Sequence, residues 1–416
     1  MKKPITFLFL IITLASVFAH FWNYKDMAGF TLDAPIHLTA VKEMVDSGKI
    51  SLVGPSVTSK ETFGRMIFTG PFYYYVLAAA GILTGWNVIF ISGFLTGLWL
   101  ISFGILFFWL NKKFGGVIAI LVYSILSFYP FFIQFSRQIT NPQLIPVLGT
   151  LFFISLVERK KGIHYLLSGI FWGLGLNVHY STILWVFIAG FFMLNEIYYK
   201  KFRLINWLIL VLGIVLAEIP FIIFELRHNF YNLNTVIFHY KYGNFSQGYT
   251  FNIWYYYALP FLTPAAYLLG KFLHNIRKTK VYSAAIVILS VLAVYFALSA
   301  FGTQGQKMTH FPGWSIDTQK RVANIIIKDN EKDFEVAETI SSDTRAMDIR
   351  WWLREANVPV MDVVSYKTSP VLYLVTTGDR PPETETVWEV SSLRPFNIEF
   401  KNDIGGGLYL YKLVRK

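Results

Sequence analysis

From Asp33 to Tyr75 the chain reads DAPIHLTAVKEMVDSGKISLVGPSVTSKETFGRMIFTGPFYYY. The stretch is polar and punctuated, and it parts a first apolar run from a long series of others. Connections longer than ~12–15 residues tend to be functional or disordered. The composition argues against disorder. An amphipathic segment opens the stretch, the pairs Gly54-Pro55 and Gly70-Pro71 frame its second half, and tyrosines close it. Gly and Pro at set positions give a backbone a defined shape. Residues 23–66 are therefore expected to form a large, shaped first outer loop.

Working outward, 54% of the 416 residues are hydrophobic and 18% are aromatic. That excludes an ordinary soluble domain and points to an all-α polytopic membrane protein. There is no cysteine, which excludes disulfides, thiolate catalysis and Cys-held metal. The net charge of +12 is unevenly spread: residues 1–302 carry +13 and residues 303–416 carry −1. The excess lies in short clusters beside apolar runs: Lys2-Lys3, Lys112-Lys113, Arg159 to Lys161, Lys200 to Arg203 and Lys271 to Lys280. This is the positive-inside signal. A nucleic-acid partner would call for a basic patch on a soluble face, and the tail has none.

Residues 4–22 read as the first span. The rival is a cleaved signal peptide ending near Ser16-Val17-Phe18-Ala19, and the many later spans favour the first reading. Apolar runs recur near 68–85, 87–110, 115–135, 142–157, 163–178, 181–198, 204–224, 251–270 and 281–301. Ten full crossings would return the C-terminus to the side of the N-terminus, whereas the basic clusters place the tail outside. One segment within 68–157 is thus expected to be a half-membrane helix or a split span. The tail, 303–416, is expected to be a small extracytoplasmic α/β domain, with residues 1–302 forming the membrane domain. Helical periodicity appears at Ile316–Lys328 and Ala346–Asn357, and β-rich runs at Phe334–Thr339, Val371–Thr376, Asn397–Phe400 and Leu408–Val414. Gly405-Gly406-Gly407 precedes a strand-like run, so it reads as a turn and not a phosphate loop. There is no internal repeat.

Several residues suit chemistry at an outer cavity. Asp33 follows the first span and fits a general base for an acceptor hydroxyl; it also fits a helix start ahead of Pro35. Glu43 lies about three turns further along, and Asp26 and Asp46 read as solvated. Arg137, in FSRQITNP, stands between two apolar runs, where charge is functional or snorkels to the interface. Asn141 is expected to cap the helix that follows. His179 reads first as a structural hydrogen-bonder, and Glu218 within AEIP needs a partner. No zinc spacing, Walker or GxGxxG fingerprint or GxSxG elbow occurs.

Four segments in order, LVGPSVTS…FTGPFYYY, SRQITNPQLIP, GLNVHYS and PFIIFELRHNF, resemble the polytopic GT-C glycosyltransferases, near the protein O-mannosyltransferase-like group that includes the lipid A aminoarabinose transferases. The resemblance covers about residues 1–250. It implies a GT-C-like helix bundle in the bacterial plasma membrane, with its active site outside. The donor would be a polyprenyl-phosphate sugar, and transfer to a glycan, lipid or protein acceptor would invert configuration. By position, Asp33 would be the base. Many relatives have Asp-Glu there, and this chain has Asp33-Ala34, which removes a second carboxylate. The Asp-x-Asp that holds a divalent ion in the oligosaccharyltransferase branch is absent, so a metal is possible but not indicated. Lys60, Arg65, Arg137 and Arg227 are the cations available to the donor phosphate. Glu43, Tyr74, Asn141 and His179 complete the expected substrate-binding set. The tyrosines 73–75 and the run Trp254–Tyr257 fit a sugar or lipid groove, or an interfacial aromatic belt. The rival class is a transporter or lipid-handling protein without transfer chemistry, for which paired repeats would speak. A scaffold or sensor would need no Gly-Pro-framed loop.

Overall fold

A computed structural model describes residues 3–31, 33–56, 65–242, 257–302, 311, 313–341, 343–363 and 365–416. The chain divides into two compact units. One comprises residues 1–21, 41–136 and 140–303; the other comprises residues 22–40, 137–139 and 304–416.

The first unit is helical. Among the described residues, Lys3–Phe21, Val88–Phe114, Tyr180–Tyr198 and Lys280–Ala300 are long and apolar enough to cross a membrane. Two bent pairs bring the number to six: Gly116–Phe128 with Pro130–Ser136, bent by 59°, and Leu204–Ala217 with Ile219–Arg227, bent by 65°. Both breaks fall at a proline, Pro130 and Pro220, which cannot continue the hydrogen-bond ladder of the turn before it. The first pair is the kind of split span expected within 68–157. Other apolar runs form helices too short to count by length, such as Phe72–Thr84 and Ile145–Val157. Ten full crossings therefore overstate the described helices, because apolar content was read without the breaks that shorten them. Large side chains such as Leu83, Phe187 and Leu298 stay exposed on the helix shafts, as expected where the solvent is lipid.

Glycine sets one contact closely. The helix Gly162–Val178 packs on Leu204–Ala217 with backbones nearly touching: a Cβ on Gly169 would overlap the Leu210 carbonyl, and one on Gly213 the Leu166 carbonyl. Contacts climb both helices together, from Gly162 with Ile209 to Gly173 with Ala217, so the two run parallel. Small residues permit such approach where no hydrophobic effect drives helices together.

In the second unit a four-stranded sheet forms from β1 (Phe334–Glu338), β2 (Val371–Thr377), β3 (Phe396–Gly405) and β4 (Leu408–Arg415), in the order β1-β2-β4-β3. β1 and β2 are parallel, joined through the helix Met347–Glu355; the other pairs are antiparallel. Val371, Tyr373 and Val375 face a cluster with Val322, Ile326, Ile349 and Leu353 from the helices Ile316–Asp329 and Met347–Glu355. Leu372 and Leu374 face Tyr366, Val390 and Leu393. Both faces are covered, so β2 is buried nearly throughout. Gly405, Gly406 and Gly407 all have φ between 67 and 88° and turn β3 into β4. Within this core Asp348 accepts hydrogen bonds from Trp314 Nε1 (2.8 Å) and Ile349 N (2.8 Å). Burial raises its carboxyl to about 7, those two bonds opposing the rise. Burial and the neighbouring Asp348 also hold Glu338 well above the usual carboxylate range.

Candidate active site

The segment ahead of Asp33 is held from two sides. Gly29 N–H donates to the Arg137 carbonyl (3.1 Å), and Gly29 pairs with Gln138 in a parallel bridge. The next residue, Phe30, is 1% exposed. Its carbonyl accepts from Gln319 Nε2 (2.9 Å), and its ring meets Trp351 and Trp352 edge-on at 5.9 and 5.5 Å. Trp352 Nε1 in turn donates to Gln319 Oε1 (3.2 Å). Lys25 pairs with Asp317 at 2.6 Å, though both are exposed and the pair adds little. All these residues belong to the second unit. Residues 28–31 are thus wedged between the break at Arg137 and the helices of the tail domain.

Asp33 begins the helix Asp33–Asp46 and is exposed. Pro35 in the first turn donates no N–H where none is needed, and the helix dipole favours an anion there. One turn on, His37 is 5% exposed. Burial lowers its pKa, and the Asp33 carboxylate works against that shift. The sequence reading did not single out His37; the i, i+4 spacing from Asp33 was the available signal. Arg137 is 3% exposed, and its guanidinium keeps its charge when buried. The structure therefore places two predicted residues, Asp33 and Arg137, on segments joined through Gly29. Glu43 lies ten residues along the same helix, about 15 Å at a helical rise.

The first unit fixes the ends of the Gly-Pro loop. Gly54 N–H donates to the Thr69 carbonyl and Thr69 N–H to the Pro55 carbonyl, both at 2.9 Å, so the two Gly-Pro pairs face each other. Asn232 grips the strand-like end: its Oδ1 accepts from Phe68 N (2.7 Å) and its Nδ2 donates to the Phe68 carbonyl (3.2 Å). Tyr180 Oη also donates to that carbonyl. Glu225 holds Asn232 in place by accepting from Asn232 N and Leu233 N at 2.9 and 3.0 Å. Tyr75 Oη donates to the Ser51 carbonyl (2.6 Å), and Tyr73 is fully buried. Both are structural; Tyr74 is half-buried between them.

Other predicted residues have local roles. Asn141 does not cap its helix. It lies inside the 3-10 turn Asn141–Leu144, and its Nδ2 donates to the Val178 carbonyl (2.8 Å). The buried carbonyl at the end of the neighbouring helix outbids the cap. His179 caps the turn Tyr180–Leu184, its Nδ1 accepting from Ser181 N (3.1 Å). Arg65 lies over the Phe238 ring at 4.7 Å, and Arg227 is exposed. Glu218 sits at the 65° bend. Lys60 and Trp254–Tyr256 lie outside the described residues.

The sequence profile of the family described as dolichyl-phosphate-mannose-protein mannosyltransferase matches residues 57–224. Two solved structures of ArnT from Cupriavidus metallidurans match the chain almost end to end. The apo form has a TM-score of 0.57 at 11% identity, covering 97% of each chain. The form bound to undecaprenyl phosphate has a TM-score of 0.60 at 12% identity, covering 99% of this chain and 98% of that one. The fold is that of a GT-C glycosyltransferase. Comparison with curated protein sequences returns no match. Ala34 follows Asp33, and among the described residues no group of three His, Asp or Glu is placed to hold a metal ion.

Proposed function

We propose that the protein is a membrane glycosyltransferase that moves a sugar from a polyprenyl-phosphate-linked donor to a hydroxyl on an extracytoplasmic glycan, lipid or protein, with inversion. The observation that carries this is the joining of the Asp33 and Arg137 segments through Gly29 within one compact unit. The family match over 57–224 and the GT-C fold support the reaction class. The undecaprenyl phosphate in one of the matching structures supports the donor class.

In this reading Asp33 takes the acceptor proton as the acceptor oxygen bonds to the anomeric carbon. The carbon–phosphate oxygen bond breaks on the opposite face through an oxocarbenium-like transition state. Charge gathers on the departing lipid phosphate, where Arg137 meets two oxygens at once. His37, lowered by burial, stays neutral near pH 7 and leaves Asp33 as the local charge. The basic clusters support an extracytoplasmic Asp33 and tail.

The test is transfer from radiolabelled polyprenyl-phosphate sugars in membranes, comparing the wild type with Asp33→Asn. The variant should be expressed normally and lose transfer by ~10²–10⁴-fold. Near-normal turnover would remove Asp33 from the catalytic role.

A further inference from the structure

A second cluster of charge lies far along the chain from Asp33, where the helix Trp185–Tyr198 ends and Gly162–Val178 and Leu204–Ala217 begin. Glu196 is buried there, 7% exposed. Its Oε1 accepts from Arg159 Nε and Tyr165 Oη, both at 2.6 Å, and its Oε2 from Trp207 Nε1 at 2.9 Å. Its backbone carbonyl accepts from Lys201 N (2.8 Å). One carboxylate thus ties three helix ends together, and Arg159 neutralises it. The next acid, Glu158, is taken by Lys113 (2.7 Å) and Trp109 Nε1 (2.7 Å).

What remains is unbalanced. Lys160, Lys161, Lys200, Lys201 and Arg203 are exposed, and among the described residues none of them forms an ion pair. Because the two helices run parallel, both start at this end, with Lys161 and Arg203 at their N-cap positions and neither start capped by a side chain. Positive helix ends add to the five side-chain charges. Tyr198, Tyr199, Phe202 and Leu204 are exposed around them, as in the aromatic belt of a bilayer interface.

We infer that this end of the bundle binds the phosphate headgroup of an anionic phospholipid. The five cations and two helix starts match a phosphate, and the exposed aromatic and aliphatic side chains match the acyl chains beside it. Glu196 acts as the tie that gathers the cations; Arg159 is spent on it. A free phosphate has the same charge but gains nothing from the apolar rim.

The test is binding of phosphatidylglycerol to the purified full chain, followed by native mass spectrometry. Phosphatidylcholine with the same acyl chains and inorganic phosphate are the comparisons. A cation near an anionic lipid surface is worth roughly fivefold in affinity, so the triple variant Lys200→Gln, Lys201→Gln, Arg203→Gln should weaken phosphatidylglycerol binding roughly a hundredfold. The charge-matched control Lys271→Gln, Arg277→Gln, Lys278→Gln removes three exposed cations from another basic cluster and should change it less than tenfold. Equal losses in the two variants would show a diffuse charge effect and overturn the site. So would equal binding of phosphatidylcholine. Displacement of the lipid by millimolar inorganic phosphate would assign the site to a soluble anion and overturn the lipid assignment. All the substituted residues are exposed, which keeps a folding defect from mimicking the loss. The inference does not rest on the transfer reaction and survives if Asp33→Asn retains activity.

Discussion

The turn that carries Asp33 and the helix ends gathered around Glu196 use a carboxylate in opposite ways. Glu196 is buried and its two oxygens are filled by Arg159, Tyr165 and Trp207. Asp33 is exposed at a helix start, and the support lies in the backbone before it, in Gly29 and Phe30. An ion-paired carboxylate that already accepts three hydrogen bonds is a fastener, because little of its capacity is left to receive a proton. An acid meant to receive one is better held through its neighbours. The basic residues divide alike: Arg159 is spent on Glu196, whereas Arg137 is proposed for a ligand.

The contrast breaks most visibly at Asp33. Loss of a positioned general base typically costs ~10²–10⁴-fold, so Asp33→Asn should reduce kcat by that order while the thermal midpoint of the purified protein is unchanged. Arg137 comes next. Loss of one partner of a buried charged pair costs about 3–5 kcal/mol, so Arg137→Ala should lower kcat/KM for the donor by roughly a hundredfold or more. Arg137→Lys keeps the charge without the fork and should lose less. Steady-state kinetics with donor and acceptor varied separately decide the assignment: a rise in acceptor KM alone moves Arg137 to the acceptor side.

Glu196→Ala should do the reverse of Asp33→Asn. It strands Arg159 beside an empty site and should cost about 3–5 kcal/mol of stability, while turnover per folded molecule is retained. Inactive but fully stable protein would contradict the division of roles. A smaller effect is expected with pH in the tail domain. Burial holds the folded Asp348 at about 7, above an unfolded value near ~4. Its stabilising contribution is therefore full below ~4 and is lost as pH rises through about 7. Denaturant midpoints followed by tryptophan fluorescence should fall from pH 5 to pH 8, and Asp348→Asn should flatten that slope. The smallest change is expected from Gln319→Ala, which frees the Phe30 carbonyl. A hydrogen bond worth about 1 kcal/mol corresponds to roughly fivefold in kcat, with the thermal midpoint little altered.

The elements of the tail were legible in the sequence because their signals are local. Period-two runs gave strands that form at Val371–Thr377 and Leu408–Arg415, and the triple glycine gave the turn from β3 into β4 its conformation. The Gly-Pro frame was legible as punctuation, but its grip was not: Asn232 reaches Phe68 across 164 residues, and Gln319 reaches Phe30 across 289. Neither partner carries a motif, so only the folded chain shows them. Asn141 looked like a cap for the same reason, since its true partner, Val178, is distant in sequence. Glu196 reads on its own as one acid among lysines. Its three donors come from Arg159, Tyr165 and Trp207, and no spacing rule connects them.

The parallel packing of Gly162–Val178 on Leu204–Ala217 has a consequence for how the chain is made. Two parallel helices cannot be neighbours in synthesis; the stretch Trp185–Tyr198 must first carry the chain back. Until residues 204–217 leave the ribosome, the groove at Gly169 and Gly173 has no backbone to receive. A side chain larger than hydrogen would collide with Leu210 and Gly213 at Gly169, and with Ile214 and Ala217 at Gly173. Alanine at Gly169 should therefore appear first as a defect of biogenesis, with nascent protein trapped and degraded before the Asp33 and Arg137 segments have met.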